Sequence, residues 1–162
     1  MIDVQVDDPA WILALPAAVD VAVRAAEATL SGVEAPGDAE VAVLLADDAT
    51  LADLNARFCG KPGPTNVLSF PAPSSAAPHL GDVALARGVC EREAALQGKS
   101  LEHHLMHVVA HGVLHLVGYD HQTEAEAETM EALERQLMQG LGAPDPYELR
   151  PGPVRPADRH AR

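Results

Sequence analysis

The chain has 162 residues, 48% of them hydrophobic, and its 11 Lys and Arg against 24 Asp and Glu give a formal charge of −13. This length favours one domain with a substantial core, and the hydrophobic content excludes disorder of the whole chain. The acidic balance argues against a general electrostatic nucleic-acid binder but not against a local basic site.

Hydrophobic periodicity and turn residues place strands and helices along the chain. The predicted elements are, in chain order, a strand at 2–6, a helix at 11–30, a buried strand at 40–46, a short helix capped by Asp47 or Asp48, a loop at 61–64, strands at 66–70 and 81–86, and helices at 89–97, 101–117 and 123–141. The pattern predicts an α/β (α+β) domain over residues 1–147, with a small mixed four-stranded sheet packed by about five helices. Residues 148–162 are rich in Pro and are expected to form a flexible tail.

Histidines are concentrated near the end of the domain, where six of the eight lie between residues 103 and 121. His111 and His115 are four residues apart on a predicted helix and therefore share one face. Gly118 is expected to end this helix in a left-handed turn that returns His121 as a third ligand. Three histidines suit one Zn²⁺ and leave a fourth position for water, as in catalytic zinc sites.

The spacing is that of the metzincin signature H-E-x-x-H-x-x-G-x-x-H, except that Gly112 stands where those proteases have their general base. A zinc peptidase of that mechanism would lack its base. The site therefore either binds metal without catalysis, or its chemistry uses another base or the metal-bound hydroxide itself. Asp120 is a candidate base or a hydrogen-bond partner of a ligand imidazole, with a plain turn residue as the alternative.

Other polar residues near the motif have simpler predicted roles. We expect His107 to be buried beside the site and His103 and His104 to lie on the helix surface. The acidic residues of the last helix are predicted to form a solvated face; they are Glu124, Glu126, Glu128, Glu131 and Glu134. Cys59 and Cys90 lack a metal-binding spacing and are predicted to be free thiols.

The histidine block, H-G-x-L-H-L-x-G-Y-D-H, resembles the signature of the YbeY family of bacterial metal-dependent endoribonucleases, also called rRNA maturation factors. Four further blocks resemble that family in the same order, over roughly residues 40–147. They are Leu54-Asn55 with Gly60-Lys61, Pro64 to Pro71, Gly81 to Val83, and the acidic last helix followed by Asp145 to Tyr147. The resemblance implies a mixed sheet packed by helices and a single zinc ion on His111, His115 and His121.

The resemblance further implies single-strand-specific hydrolysis of RNA phosphodiester bonds, in maturation of the 3′ end of 16S rRNA and in ribosome quality control. The family has an Arg immediately before the Gly-Lys pair, where this chain has Cys59. Lys61, aided by Arg57, is expected to stabilise charge on the phosphate. Thr65 and Asn66 are expected either to hydrogen-bond the RNA or to support the loop.

The expected partners are RNA, chiefly small-subunit rRNA, and the ribosome. Because RNA repels a net-negative protein at long range, delivery by a ribosomal protein or an assembly GTPase is expected. No DNA and no membrane partner is predicted. Two cysteines and the lack of a signal-peptide pattern indicate the cytoplasm.

Two other functions stay open at this point. A zinc metallopeptidase-like hydrolase fits the metzincin spacing, and Gly112 counts against it. A non-catalytic ribosome assembly factor is the other, because a thiol at position 59 cannot bind phosphate as a guanidinium does.

Overall fold

The structure, a computed structural model, describes residues 1–148, so the predicted tail beyond Glu148 lies outside the described residues. Four strands are present in this part of the chain: β1 (Ile2–Val6), β2 (Glu40–Ala46), β3 (Val67–Pro71) and β4 (His79–Ala86). The α-helices are α1 (Ala10–Ala14), α2 (Ala18–Gly32), α3 (Asp48–Leu54), α4 (Arg87–Leu96), α5 (Leu101–Leu116) and α6 (Glu124–Gly140). The predicted mixed α/β class is confirmed, whereas the single-domain boundary at residue 147 stays a prediction.

The four strands form one mixed sheet in the order β1-β2-β4-β3. β1 pairs with β2 and β2 with β4 in parallel, and β3 pairs with β4 in antiparallel. Val43 lies at the centre, opposite Val4 on one side and Val83 on the other. This arrangement leaves β3 at one edge of the sheet, next to the helix that carries the histidines.

Residues of the two central strands alternate between two cores, as expected for a sheet covered on both faces. On one face Val43 of β2 and Val83 of β4 join the larger core, which includes residues of α2, α5 and α6. On the other face Ala46 and Ala84 join a smaller core with Leu51 of α3. Helix α5 lies in the larger core, and its histidine-bearing end packs near β3 and β4.

The prediction of one helix over 11–30 is wrong, because the chain breaks it into α1 and α2. Leu15 is extended (φ −147°, ψ 93°), the conformation favoured for a residue that precedes proline, here Pro16. Trp11 is fully buried, and its indole Nε1–H donates a hydrogen bond of 2.9 Å to the carbonyl of Ala46. This break gives six α-helices within residues 1–148 instead of about five.

Helix α3 begins as predicted, since the Asp47 carboxylate accepts a hydrogen bond of 2.8 Å from the Thr50 amide. It ends in a feature that the sequence pattern does not predict, a π-helical turn at Asn55–Cys59. Gly60 then takes a left-handed conformation (φ 67°) and starts the loop to β3. No helix of the described residues is both long and apolar enough to cross a bilayer.

Candidate metal centre and adjoining cleft

Helix α5 and the turn after it bring the three predicted ligands together. The hydroxyl of Ser100 caps the helix, accepting a hydrogen bond of 3.1 Å from the His103 amide. Gly118 is in a positive-φ conformation (φ 102°), and the chain turns back after it as the sequence predicts. The Asp120 carboxylate then accepts a hydrogen bond of 2.8 Å from the His121 amide, which holds this return.

One nitrogen from each of His111, His115 and His121 lies within 4.8 Å of the corresponding nitrogens of the other two. The Nε2 atoms of His111 and His115 are 3.1 Å apart. Tetrahedral zinc with Zn–N bonds of 2.0–2.1 Å requires nitrogens about 3.3 Å apart, so the cluster fits such an ion with small adjustments. His111 is buried and His121 exposed, which leaves one side of the cluster open to solvent.

Glu134 of α6 is the most important residue that the sequence reasoning missed. Its Oε2 lies 2.6 Å from Nδ1 of His111, and the side chain is fully buried. A carboxylate in this position accepts the Nδ1 proton, so the Nε2 lone pair of His111 is available to a metal. Carboxylate–histidine–metal arrangements of this kind orient the ligand and raise its basicity.

The predicted solvated face of the last helix is therefore wrong at two positions, because Glu131 and Glu134 are buried. Glu134 follows Met130 by four residues and precedes Met138 by four, and both methionines lie in the larger core. This spacing could have predicted the burial of Glu134, because a residue four positions from core residues on both sides lies on the same face of the helix, whatever its charge.

A second group of side chains surrounds the Glu134 carboxylate. The Tyr147 hydroxyl donates to Oε1, and Nε2 of His107 lies 3.4 Å from Oε2. Burial alone would raise the pKa of Glu134, but the imidazoles of His107 and His111 outweigh it and hold the pKa well below its ordinary value. His107 is buried as predicted, and burial lowers its pKa.

The expectation that His104 lies on the helix surface is wrong. His104 is 3% exposed, and its Nε2 is 2.9 Å from Oε1 of Glu93 on α4. The same Glu93 oxygen accepts a hydrogen bond of 3.0 Å from the Asn66 side chain. Glu93 thus joins α5 to the start of β3.

His115 is held in the neutral form that metal binding requires. Burial lowers its pKa to about 4, with the neighbouring His111 and His121 acting in the same direction. A neutral imidazole presents its lone pair without first losing a proton, so the cluster is prepared for a cation at neutral pH.

The histidine cluster opens onto a cleft of about 580 Å³. Its lining includes three more of the predicted site residues, namely Lys61, Thr65 and Asp120, together with Cys59. The cleft therefore combines a candidate metal site with a basic side chain, a hydroxyl and a carboxylate.

Asn55, at the start of the π-helical turn, holds the loop that carries Lys61. Its side-chain amide donates a hydrogen bond of 2.9 Å to the Gly63 carbonyl, and its own carbonyl accepts one of 3.2 Å from the Lys61 amide. The sequence feature that could have indicated this role is its position five residues before Gly60-Lys61, in the same block.

Two predicted site residues lie apart from this lining. Asn66 is 3% exposed and its side chain is bound to Glu93, as described above. Arg57 pairs with Asp53 across 3.2 Å, and its guanidinium lies 5.4 Å from the ring centre of the next residue, Phe58.

Gly112, where the metzincin signature has its catalytic Glu, is packed directly against the sheet. A Cβ atom at this position would lie 2.7 Å from Cγ1 of Val83 and 3.1 Å from Cγ2 of Val67. The Ser69 hydroxyl also donates a hydrogen bond of 2.8 Å to the Gly112 carbonyl. No side chain fits between α5 and the sheet here, so this position cannot supply a general base.

Comparisons with known proteins show which family the chain resembles. The family model described as Endoribonuclease YbeY matches residues 12–142. The chain is 54% identical over 129 residues to the Endoribonuclease YbeY of Chelativorans sp. strain BNC1, covering 76% of this chain and 79% of that protein. It is 49% identical over 154 residues to the Endoribonuclease YbeY of Azorhizobium caulinodans, covering 91% and 96%.

The fold resembles the solution structure of TM1509 from Thermotoga maritima, with a TM-score of 0.56 at 24% identity, over 91% of this chain and 99% of that one. This similarity concerns the fold, while the sequence relatives carry the family assignment. On both the family match and the identity to these relatives, the chain belongs to the YbeY endoribonuclease family.

Proposed function

We propose that the protein is a zinc-dependent, single-strand-specific endoribonuclease that hydrolyses RNA phosphodiester bonds. The observation that carries this proposal is the three-histidine cluster opening onto the same cleft as Lys61. A metal centre beside a fixed cation suits a reaction in which negative charge develops on a phosphate. The relatives named Endoribonuclease YbeY support RNA as the substrate.

Each cleft residue has a proposed part in the reaction. Lys61 stabilises charge on the phosphate, Thr65 hydrogen-bonds the RNA, and Asp120 accepts the proton of the attacking hydroxyl or water. His111, His115 and His121 would hold a zinc ion, which when bound would supply Lewis-acid charge to a phosphoryl oxygen and lower the pKa of water. From outside the lining, Arg57 of the π-helical turn adds positive charge, and Asn66 supports the loop through its bond to Glu93.

The proposed cellular role is maturation of the 3′ end of 16S rRNA and ribosome quality control in the cytoplasm. With a formal charge of −13, the protein is repelled by RNA at long range. Delivery by a ribosomal protein or an assembly GTPase overcomes this repulsion. In cells that lack the protein, 16S rRNA with unprocessed 3′ ends should accumulate.

The direct test is cleavage of a single-stranded RNA by the purified protein reconstituted with zinc. Replacing both His111 and His115 by Ala should abolish metal retention and cleavage together. Replacing His103, which lies on the same helix outside the cluster, should change neither. Cleavage by the double variant at the parent rate, in a nuclease-free preparation, would contradict the proposal.

A second candidate, a non-catalytic ribosome assembly factor, is favoured by one observation, the Cys59 thiol in the lining of the cleft. Cys59→Arg separates the two functions. If the parent chain lacks cleavage and the Arg variant gains it, the natural chain acts without catalysis. If both cleave equally, the thiol is tolerated and the endoribonuclease proposal stands.

A further inference from the structure

Phe58 is one of only five aromatic residues in the chain, and it is 62% exposed. By contrast, Trp11 is fully buried, and Phe70 packs against the smaller core. A single exposed apolar residue is common on protein surfaces and requires no explanation by itself. What distinguishes Phe58 is the set of neighbours around its ring.

The Phe58 ring is not part of the cleft lining, but residues next to it are. Its neighbour in the π-helical turn, Cys59, lines the cleft. The Phe70 ring is 5.7 Å away at 76°, an edge-to-face contact. Phe70 follows Leu68, another lining residue, by two positions on β3, so these two side chains share the face of the strand that carries the smaller core. π-Helical turns are rare and are frequent at functional sites, so a turn that presents an exposed ring here fits a binding role.

Positive charge accompanies this exposed ring. The Arg57 guanidinium lies 5.4 Å from the Phe58 ring centre, and the ion pair of Arg57 with Asp53 is solvent-exposed on both sides. An exposed pair of this kind is weak, so it is readily exchanged for a phosphate. An exposed aromatic ring with a guanidinium over it, near a cleft that holds Lys61, matches single-stranded nucleic acid, whose bases stack on rings while its phosphates contact cations.

We propose that Phe58 is a stacking platform for one nucleobase of the RNA strand that passes into the cleft. This inference rests on the proposed endoribonuclease function. Stacking uses the π face that every base has, so this contact should add affinity without selecting a base. It also favours unpaired RNA, because a base inside a duplex cannot reach the ring.

The test is binding of the full chain, loaded with zinc, to a labelled single-stranded RNA oligonucleotide. Fluorescence anisotropy at constant salt measures the affinity. Phe58→Leu keeps the apolar character and removes the π face, and it should weaken binding about 5- to 100-fold. Phe58→Trp should bind at least as tightly as the parent. Leu13→Ala, which alters a residue 86% exposed on α1, is the matched control and should bind normally.

Stacking has an optical signature that a merely structural role does not share. An oligonucleotide with 2-aminopurine should lose fluorescence on binding the parent and the Trp variant, and should keep it with the Leu variant. Equal affinity of the Leu variant and the parent, with equal quenching, would overturn the inference. So would loss of ribosome association by the Leu variant with intact RNA binding, which would make the ring a protein contact.

The two proposals fail in different ways. If the parent chain neither binds nor cleaves single-stranded RNA, the proposed function itself is wrong. If the parent binds and cleaves RNA and the Leu variant does so equally, only the stacking platform is wrong. Circular dichroism and metal content should match among all variants, because Phe58 is mostly exposed and is not a buried member of either core of the described residues.

Discussion

At the scale of single residues, the buried carboxylate of Glu134 determines which nitrogen of His111 is available to a metal. Glu134→Gln replaces a charged hydrogen-bond acceptor by a neutral amide. The hydrogen bond that keeps the proton of His111 on Nδ1 is then weaker. We expect zinc affinity to fall about 10- to 100-fold, the effect typical of removing such an outer partner. Competition with a chromogenic chelator measures this affinity directly and independently of activity.

The control for this variant lies on the same helix. Glu128 is exposed, so Glu128→Gln removes the same charge without a buried partner and should leave zinc affinity unchanged. Equal affinities for the Glu134→Gln variant and the parent would show that His111 is oriented by packing alone.

Gly112 gives a second prediction at this scale, concerning the peptidase alternative. Gly112→Glu restores the metzincin signature, but its Cβ would lie 2.7 Å from Cγ1 of Val83. Overpacking and a buried charge together should lower the free energy of unfolding by about 3 kcal/mol or more. Urea unfolding measures the loss. A variant of parental stability that cleaves peptides would contradict this expectation.

At the scale of elements, the turn after α5 decides whether a third ligand exists. Gly118 has φ 102°, a conformation that L side chains rarely adopt. Gly118→Ala should shift the return of the chain, so that His121 leaves the cluster while His111 and His115 stay on the helix. Zinc affinity should then fall by at least tenfold, with a stability loss of about 1–2 kcal/mol.

Gly140→Ala is the matched control, because Gly140 lies on α6 and a Cβ there would meet nothing within 4 Å. This variant should bind zinc like the parent, since alanine is preferred over glycine in a helix. Should both alanine variants retain parental affinity, the turn would not be what places His121.

Local patterns were sufficient to predict most of the elements and the grouping of His111, His115 and His121, since strand alternation and the i, i+4 spacing are properties of neighbouring residues. The helix break before Pro16 could also be predicted from neighbouring residues. It was missed because the surrounding run is rich in Ala and Val and was assigned to one helix. The order of the strands in the sheet could not be predicted from local patterns, because it depends on contacts between residues far apart in sequence. The contact between Glu134 and His111 joins two different helices. The spacing within α6 therefore indicates that Glu134 faces the core, but not which residue it contacts.

At the scale of the whole molecule, charge is distributed so that the cleft is not a strong attractor of RNA. Among the described residues that line it, Lys61 is the only Lys or Arg, and Asp120 opposes it. Under the proposed function, affinity comes from the metal centre, from stacking and from partners, while non-specific RNA is repelled by the net charge of −13. This division suits an enzyme that must leave most cellular RNA uncut.

The buried His107 and the half-buried His115 also make the fold sensitive to acid when no metal is bound. His115 has its pKa lowered to about 4 from an ordinary value of 6.5, and the pKa of His107 is lowered as well. Between these values the unfolded chain binds protons that the folded chain does not, so stability falls as the pH drops from about 6.5 to 4. Glu134, with a lowered pKa, adds a loss that begins below about 4.5.

Urea unfolding in the presence of a chelator, at intervals from pH 7.5 to 4.5, should show a midpoint that declines from about pH 6.5 downward. His115→Gln removes one of the titrating groups and should flatten this decline, while zinc in excess should oppose it down to the pH where protons displace the metal. A midpoint that stays constant to pH 5, or an unchanged slope in the Gln variant, would show that these imidazoles accept protons in the folded state.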